Sequence, residues 1–175
     1  MSHPLDKFKC CPVCGSTLFD INNAKSKHCT ACGFVYYINP SAATAAFILR
    51  EGRLLVARRA KDPARGTLDL PGGFIDIGET AEQGIAREVA EETGLHARSV
   101  SYLFSLPNDY LYSGMHIPTL DMFFRVEVDA HEEAHAADDA AELMWLPIGN
   151  VRPELFGLGS IRQAVGAFIA DYTGK

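Results

Sequence analysis

The spacing of apolar and polar residues predicts several strands. Residues 42–49 form an almost continuous apolar run, typical of a buried strand, and residues 54–57 form a second one. Glu51-Gly52-Arg53 lies between them, so the two runs predict a hairpin with a glycine-bearing turn. A short strand interrupted by Pro71-Gly72-Gly73 is predicted over residues 68–77. The remaining predicted strands are residues 100–106, 120–128 and 143–146, and residues 58–66 and 107–119 are predicted to be irregular.

Two segments have the period of an amphipathic helix. Thr80 and Gln83 form a capping-box pattern at the start of the first, and Gly94 supplies its stop. The second begins after Ser160, the predicted N-cap. Its apolar positions are Ile161, Val165, Phe168 and Ile169. Several strands together with two helices in one domain predict an α/β sandwich.

The composition is that of an ordinary globular protein. The 175 residues are 47% hydrophobic and 22% charged, enough for one domain with a small appendage. No apolar run reaches the ~18 residues of a membrane span, and residues 1–9 lack the apolar stretch of a secretory signal. We therefore expect a cytoplasmic protein without a membrane partner.

Charge is distributed unevenly along the chain. Residues 1–40 contain four lysines and two aspartates, a net charge of +2, so the total of −6 leaves −8 on residues 41–175. An acidic main domain repels polyphosphate unless a cation lies between them, so phosphate chemistry here requires bound metal or a local basic patch. The bulk charge gives no support for general nucleic-acid binding.

All five cysteines lie within the first 32 residues, which favours a metal site over a disulfide scaffold. Four of them form two Cys-x-x-Cys-Gly turns separated by 14 residues: Cys11, Cys14, Cys29 and Cys32. Each turn can direct two thiolates at one point, and four thiolates with no open position indicate a structural Zn²⁺. A redox or disulfide role is the alternative. Cys10 is interpreted as a partly exposed free thiol, since it could replace Cys11 only by changing the knuckle spacing.

A cluster of acidic residues is predicted on one face of the first helix. At about 100° per residue, Glu88, Glu91 and Glu92 fall within an arc of roughly 100°. Three carboxylates so close repel one another unless hard cations occupy the site, and Mg²⁺ or Mn²⁺ prefers such oxygen ligands. The alternative, a solvated acidic face, does not account for the adjacent Pro-Gly-Gly, Glu79 and Arg87.

These residues together form one extended motif. Its order is Gly73, five residues, Glu79, seven residues, Arg87-Glu88, an aliphatic residue, one residue, Glu91-Glu92, one residue, Gly94 and an aliphatic residue. The motif resembles the Nudix box at every specified position. The resemblance implies a Nudix α/β/α sandwich with a mixed sheet, preceded by the zinc ribbon. We expect the ribbon over residues 1–38 and a Nudix hydrolase domain over residues 39–175.

The resemblance also implies roles for individual residues. Glu88, Glu91 and Glu92 would coordinate the catalytic Mg²⁺ or Mn²⁺, with the main-chain carbonyl of Gly72 or Gly73 as a further ligand. A metal-bound water would attack a phosphorus atom of a P–O–P bridge. The proton acceptor would be Glu88 or Glu91, or a base on a distant loop.

Two further roles complete the implied site. Arg87 and Glu79 would pair and fix the loop against the helix. An additional acid commonly comes from the C-terminal half of such proteins. Asp139 is the candidate, with Asp138 and Glu142 as competitors, because it precedes the strand predicted over residues 143–146. A solvated loop is the alternative for this acidic stretch.

Two segments are candidates for substrate binding. The first is a basic cluster just before Pro71, from which we select Arg58 as a phosphate contact, with a solvated loop as the alternative. The second follows from the ribbon-plus-Nudix layout, which is similar to that of NADH pyrophosphatase-like Nudix proteins. Their signature Ser-Gln-Pro-Trp-Pro-Phe-Pro-x-Ser corresponds here to Ser105-Leu-Pro107-Asn-Asp-Tyr110-Leu-Tyr-Ser113.

This second segment departs from the signature. Ser105, Pro107, an aromatic at Tyr110 and Ser113 are kept, whereas the Gln, the Trp and two prolines are missing, so a preference for NADH does not follow. Tyr110 and Tyr112 could stack on a base, and packing of both against the core is the alternative.

The expected function is that of a Mg²⁺- or Mn²⁺-dependent hydrolase. Its substrate would be a nucleoside diphosphate-linked compound such as NADH or ADP-ribose, cleaved at the pyrophosphate bond. The alternatives are a nucleoside triphosphate pyrophosphohydrolase and a non-catalytic nucleotide-sensing Nudix module. The second alternative predicts eroded carboxylates, and here they are complete. The ribbon could pack on its own Nudix domain or on a second copy, so a homodimer remains open.

Overall fold

The computed structural model describes residues 3–137 and 140–174, and the chain divides into two compact units. The first contains the chain up to Ser41 together with Asp109–Pro118. The second contains Ala42–Asn108 and the chain from Thr119 onward. Within the described ranges, no helix has the length and apolar character that a membrane crossing requires.

The first unit is built on a three-stranded antiparallel sheet. Its strands, in spatial order, are β1 (Phe19–Asn23), β2 (Ser26–Cys29) and β3 (Val35–Tyr37). The core cluster consists of Cys11, Phe19 and Cys29, with three partly buried aromatic side chains against it. A core of this size buries little apolar area, so the unit requires further stabilisation.

The second unit is built on a six-stranded sheet, of which Ser41 and the strand ends within Asp109–Pro118 are assigned to the first unit. Its strands are β4 (Ser41–Arg50), β5 (Arg53–Arg59), β6 (Leu68–Asp69), β7 (Ala97–Tyr112), β8 (Met115–Val128) and β9 (Ala140–Pro147). The order is β6-β5-β4-β8-β7, and β9 pairs with β5. One edge of β5 is paired with β9 along its whole length, and the other meets β4 at its start and β6 at its end.

Helices cover both faces of this sheet. Alternate residues of a strand point to opposite faces, so Phe47 packs with α2 (Gly159–Thr173), whereas Ile48 packs with α1 (Ala81–Thr93). Ile85 and Val89 of α1 are both fully buried, as the helical spacing predicts. The predicted α/β sandwich is confirmed. Two short 3₁₀ helices, Ile148–Asn150 and Pro153–Leu155, connect β9 to α2.

Both ends of α1 agree with the sequence pattern. The Thr80 hydroxyl accepts from the Gln83 N–H at 3.2 Å, and the Gln83 side-chain oxygen accepts from the Thr80 N–H at 2.8 Å. Gly94 ends the helix with φ of 70°, a left-handed conformation that favours glycine. The predicted capping box and stop are therefore confirmed.

The start of α2 differs from the prediction. Leu158 is the N-cap residue and offers no side-chain cap, whereas Ser160 lies inside the first turn. The Ser160 hydroxyl donates instead to Asp121 Oδ2 on β8, at 2.5 Å. The prediction was wrong because a buried carboxylate 39 residues away takes the hydroxyl that a local pattern assigns to capping.

The prediction of irregular structure is confirmed for residues 60–66, whereas residues 58–59 and most of 107–119 lie in strands. Ser113 and Gly114 have φ of 50° and 71°, consecutive positive values that suit a two-residue hairpin turn, so β7 and β8 continue through residues 107–119. Likewise β5 extends to Arg59, and Arg58 lies in a strand because it pairs with Glu142 of β9. The hairpin turn at Glu51-Gly52, with φ of 49° and 70°, is confirmed.

Candidate active site and metal-binding residues

The loop that carries Pro71-Gly72-Gly73 lies along the first half of β4. The Ala46 N–H donates to the Pro71 carbonyl at 2.8 Å, and the Thr44 N–H donates to the Gly73 carbonyl at the same distance. The Thr44 hydroxyl donates to that carbonyl as well, at 3.3 Å. These bonds hold the loop backbone in a fixed register against the strand.

The two glycines allow close approaches that a side chain would block. Gly72 has φ of 151°, and a Cβ there would overlap the Thr44 carbonyl. A Cβ on Gly73 would lie 2.6 Å from Glu88 Oε1. The loop backbone therefore binds β4 on one side and leaves no space for a side chain beside the Glu88 carboxylate on the other.

Each of the three predicted carboxylates of α1 accepts a hydrogen bond, either from the glycine loop or from Arg87. Glu92 is 9% exposed, and its Oε2 accepts from the Gly72 N–H at 3.0 Å. Arg87 Nη1 donates to Glu88 Oε1 at 2.8 Å and to Glu91 Oε2 at 2.9 Å, so these two carboxylates point to the same nitrogen. In the described part of the chain the three acids do not form a tight metal-type cluster. The arginine N–H stands between two of them and offsets their repulsion.

Arg87 also ties the loop to the helix. Its Nε and Nη2 donate to the two carboxylate oxygens of Glu79 at 2.8 and 3.0 Å, and Nη2 donates to the Phe74 carbonyl at 3.0 Å. The Arg87 hydrogen bonds, followed by one from the Asp76 N–H, hold the pKa of Glu79 below its ordinary value. The Glu79 and Glu88 carboxylates raise the pKa of Arg87 in return. A bidentate pair of this kind fixes both distance and orientation.

The four predicted cysteine ligands lie together in the first unit. Their sulfur atoms are all within 4.8 Å of one another, with Cys11–Cys32 at 3.8 Å and Cys14–Cys29 at 3.6 Å. A tetrahedral ion with bonds of about 2.3 Å to sulfur would set such pairs about 3.8 Å apart, so the donor set fits a metal. Cys10 is exposed and stands outside the cluster.

Local backbone geometry brings the sulfur atoms together. In each knuckle the glycine N–H donates to the first cysteine carbonyl, from Gly15 to Cys11 at 2.9 Å and from Gly33 to Cys29 at 2.8 Å. Burial raises the pKa of the Cys29 thiol, but hydrogen bonds from the Cys32 and Ala31 backbone outweigh it, and the pKa is lowered to about 7. At Cys32 the Phe34 backbone bond lowers the pKa, but hydrogen bonds with the other thiols and burial outweigh it, and the pKa is raised to about 12, so Cys29 is the member of this pair that favours the thiolate.

The remaining predicted residues belong partly to the first unit and partly to the second. Arg58 is half-exposed and donates to Glu142 Oε2 and to the Gly66 carbonyl, both at 3.0 Å. Ser105 and Pro107 lie on the part of β7 that belongs to the second unit. Tyr110 and Ser113 belong to the first unit. Asp139, like its competitor Asp138, lies outside the described residues.

Sequence reasoning missed three groups around the loop. Thr44 holds the Gly73 carbonyl, and its only sequence signal is a lone hydroxyl within an apolar strand. Arg59 and Asp69 form a mostly buried ion pair just before the loop. Asp121 accepts from the Thr119 hydroxyl at 2.6 Å, in addition to the bond from α2. Charged residues inside otherwise apolar strands are the signal that could have pointed to the last two groups.

Comparison with known proteins supports the motif assignment. The model of the NUDIX domain family matches residues 39–164. A NAD-capped RNA hydrolase NudC from Vibrio parahaemolyticus is 27% identical over 163 residues, which cover 93% of this chain and 60% of that protein. An ADP-ribose pyrophosphatase from Methanocaldococcus jannaschii is 31% identical over 115 residues, covering 66% of each. The chain thus spans less than two thirds of the length of these relatives.

The fold has a counterpart among solved structures. A crystal structure of a NUDIX hydrolase from Nitrosomonas europaea superposes with a TM-score of 0.74 at 22% identity, covering 95% of this chain and 94% of that one. The family model alone covers most of the chain and includes the whole loop and helix described above. The chain therefore belongs to the Nudix family.

Proposed function

We propose that this protein is a Mg²⁺- or Mn²⁺-dependent hydrolase that cleaves the pyrophosphate bond of a nucleoside diphosphate-linked compound. The observation that carries the proposal is the contact between the glycine loop and the carboxylate helix. Glu92 binds the Gly72 N–H, Glu88 lies beside Gly73 where an added Cβ would collide with it, and Arg87 joins the helix to the loop. Side chains of a merely solvated acidic face would not be fixed in this way.

The residues present fit a hard divalent cation. Glu88, Glu91 and Glu92 offer carboxylate oxygens, and the Gly72 carbonyl is the main-chain candidate because the Gly73 carbonyl already accepts two bonds from Thr44. Bound Mg²⁺ or Mn²⁺ would supply an activated water and neutralise charge on the phosphate oxygens.

Different side chains are proposed for proton transfer, metal binding and positioning of the loop. Glu91 is half-exposed, so its carboxylate is accessible to take a proton from the attacking water. Glu88 is largely buried beside Gly73 and suits a fixed ligand role. Arg87 and Glu79 position the loop and touch no substrate.

The substrate class is inferred from the relatives. The two named above act, by their names, on NAD-capped RNA and on ADP-ribose, and both compounds contain an adenosine linked through a diphosphate bridge. We extend this class to the present chain. Ser105, Pro107, Tyr110 and Ser113 are proposed as substrate contacts, and Arg58 as a phosphate contact.

We further propose that residues 1–38 form a zinc ribbon and that residues 39–175 form the hydrolase domain. The spacing of the four sulfur atoms and the small core of the first unit support a structural Zn²⁺. In the second unit, α1 carries the three carboxylates proposed as metal ligands, Glu88, Glu91 and Glu92, and Asp139 stays the proposed additional acid.

A product-resolved hydrolysis screen tests the proposal. The purified protein is incubated with NADH, NAD, ADP-ribose, nucleotide sugars, nucleoside triphosphates and NAD-capped RNA, with Mg²⁺ and with Mn²⁺. We expect two monophosphate products from a diphosphate-bridged substrate. Release of pyrophosphate from triphosphates alone would support the triphosphate alternative. Tight nucleotide binding without any hydrolysis would support the sensing module.

Matched variants of one helix sharpen this test. A Glu91→Gln, Glu92→Gln double variant should remain folded and lose activity. Glu82→Gln changes an exposed carboxylate in the first turn of the same helix and should keep the wild-type rate. Equal rates for the double variant and the control would overturn the assignment of the metal site.

A further inference from the structure

A mostly buried ion pair lies directly before the glycine loop. Arg59, the last residue of β5, donates through Nη1 to Asp69 Oδ2, and the two side chains are 16% and 12% exposed. The other oxygen, Asp69 Oδ1, accepts from the Leu70 N–H at 2.9 Å. One carboxylate therefore connects an arginine of β5 to the backbone that leads into Pro71.

Arg59 also forms hydrogen bonds with the backbone of the segment between β5 and β6. Its Nε donates to the Pro63 carbonyl at 2.7 Å. Its main-chain N–H donates to the Thr67 carbonyl at 3.0 Å, and its carbonyl accepts from the Gly66 N–H at 2.9 Å. The arginine is thus held on several sides, so the oxygen that it binds is held as well.

The backbone hydrogen bonds of β6 alone do little to fix where the chain enters the glycine loop. β6 has two residues, which pair with Ala57 and Arg58 of β5. The loop that follows is bound in register to β4 through the Pro71 and Gly73 carbonyls, with Gly72 so close to the strand that an added Cβ would overlap the Thr44 carbonyl. With so short a strand, a side-chain pair is the stronger constraint on where the chain enters the loop.

A second buried carboxylate shapes the same region. Asp121 accepts from the hydroxyls of Thr119 and Ser160 at 2.6 and 2.5 Å. Burial is the main cause that raises the pKa of Asp69, Arg59 opposes it, and the Asp121 charge adds to the rise. Asp121 therefore repels the Asp69 carboxylate, and the Arg59 charge offsets that repulsion.

We propose that Arg59 and Asp69 are positioning residues for the metal site. They fix the entrance of the Pro71-Gly72-Gly73 turn, and through it the bond from the Gly72 N–H to Glu92 and the place of the Gly72 carbonyl. This inference rests on the proposed function, since it concerns the same loop and helix. The contacts described for the two residues are with each other and with the backbone between β5 and the loop, so their effect on the metal site passes through the backbone.

Asp69→Asn tests this role, since it keeps the shape of the side chain and removes the ion pair. We expect Mn²⁺ binding, followed by electron paramagnetic resonance, to weaken about tenfold, the lower end of the range for groups that orient metal ligands. Amide hydrogen exchange in the peptide containing Gly72 and Gly73 should accelerate. Arg59→Lys keeps the charge but loses the forked geometry, so it should show a smaller change of the same kind.

A matched control separates positioning from general stability. Asp129→Asn removes a carboxylate that faces Arg98 at 3.8 Å outside the loop, and it should leave Mn²⁺ affinity and loop exchange unchanged. If Asp69→Asn lowers the melting temperature but keeps both readouts at wild-type values, the pair is only structural and the inference is wrong. If Asp69→Asn does not fold, Arg59→Lys decides by the same criteria.

The two proposals can fail separately. Should the wild-type protein bind no Mn²⁺ at α1, the proposed function fails, and loop exchange in Asp69→Asn still reports whether the pair holds the turn. Should the wild type bind Mn²⁺ while both variants bind it equally well, only the positioning role is refuted.

Discussion

Replacing Gly73 by alanine is expected to damage the metal site while leaving the fold nearly intact. The added Cβ would lie 2.6 to 2.8 Å from three atoms of the Glu88 carboxylate, whereas ordinary contact begins at 3.4 Å. The carboxylate must therefore move by 0.8 Å, the difference between 3.4 and 2.6 Å. The moving group is the end of a flexible side chain, so the free energy of unfolding should change little.

The same shift is large for a ligand. The shift would disturb the hydrogen bond from Arg87 Nη1 to Glu88 Oε1, which is 2.8 Å long. It would also disturb the arrangement in which Glu88 and Glu91 accept from the same nitrogen. A displacement near 1 Å can cost about 100-fold in rate, so we expect kcat to fall about 10- to 100-fold. Mn²⁺ affinity should fall in parallel, because the displaced group is a proposed ligand.

Gly72→Ala provides the opposite case. Its Cβ would meet the Thr44 carbonyl, which is backbone, and the φ of 151° is rarely adopted by L residues. Strain of this kind costs about 1–3 kcal/mol, so this variant should unfold at lower urea concentration. Calorimetry, urea titration and Mn²⁺ binding on both variants provide the comparison. A Gly73→Ala protein with kcat and Mn²⁺ affinity within about twofold of wild type would refute the placement of Glu88.

Three further outcomes are expected. Arg87→Lys retains the charge but cannot bind both Glu79 oxygens at once, so kcat should fall about 10- to 100-fold, and a steady-state assay showing no loss would contradict the anchoring role. Because the pKa of Glu79 is lowered in the folded protein, its contribution to stability is present above about pH 4.5 and is lost as the pH falls through the folded-state pKa. In urea titrations, the free energy of unfolding of Glu79→Gln should therefore fall less on acidification than that of the wild type. Purified protein should contain one zinc ion per chain by elemental analysis, and Cys14→Ser should reduce this content and make the first unit sensitive to protease, since its own core is small.

Local patterns in the sequence were sufficient to predict several parts of the fold. The limits of α1, its capping box and its glycine stop depend on residues within one or two turns of each other, and all agree with the structure. The hairpin at Glu51-Gly52 was likewise predictable, since its turn requires positive φ values that its residues tolerate. The N-cap at Ser160 was wrong because its partner, Asp121, is remote in the sequence.

The candidate site was likewise predictable from local sequence only in part. The spacing of Glu88, Glu91 and Glu92 on one helix, and of each cysteine pair in its knuckle, follows from local geometry, so the sequence by itself determined which groups share a face or a turn. The pairing of Arg87 with Glu79 was expected only from the resemblance to a known family, and the structure shows its geometry.

Only the tertiary structure decided what holds these groups in place. Thr44 meets Gly73 across 29 residues, Arg59 meets Asp69 after the chain reverses between two strands, and Glu92 reaches the Gly72 N–H from the last turn of a helix. Contacts of this kind depend on how strands and helices pack. Folding closes long loops and so brings together residues whose separation in the sequence follows no helical or strand periodicity. The sequence therefore determined the chemistry that is available, and packing decided the distances at which it acts.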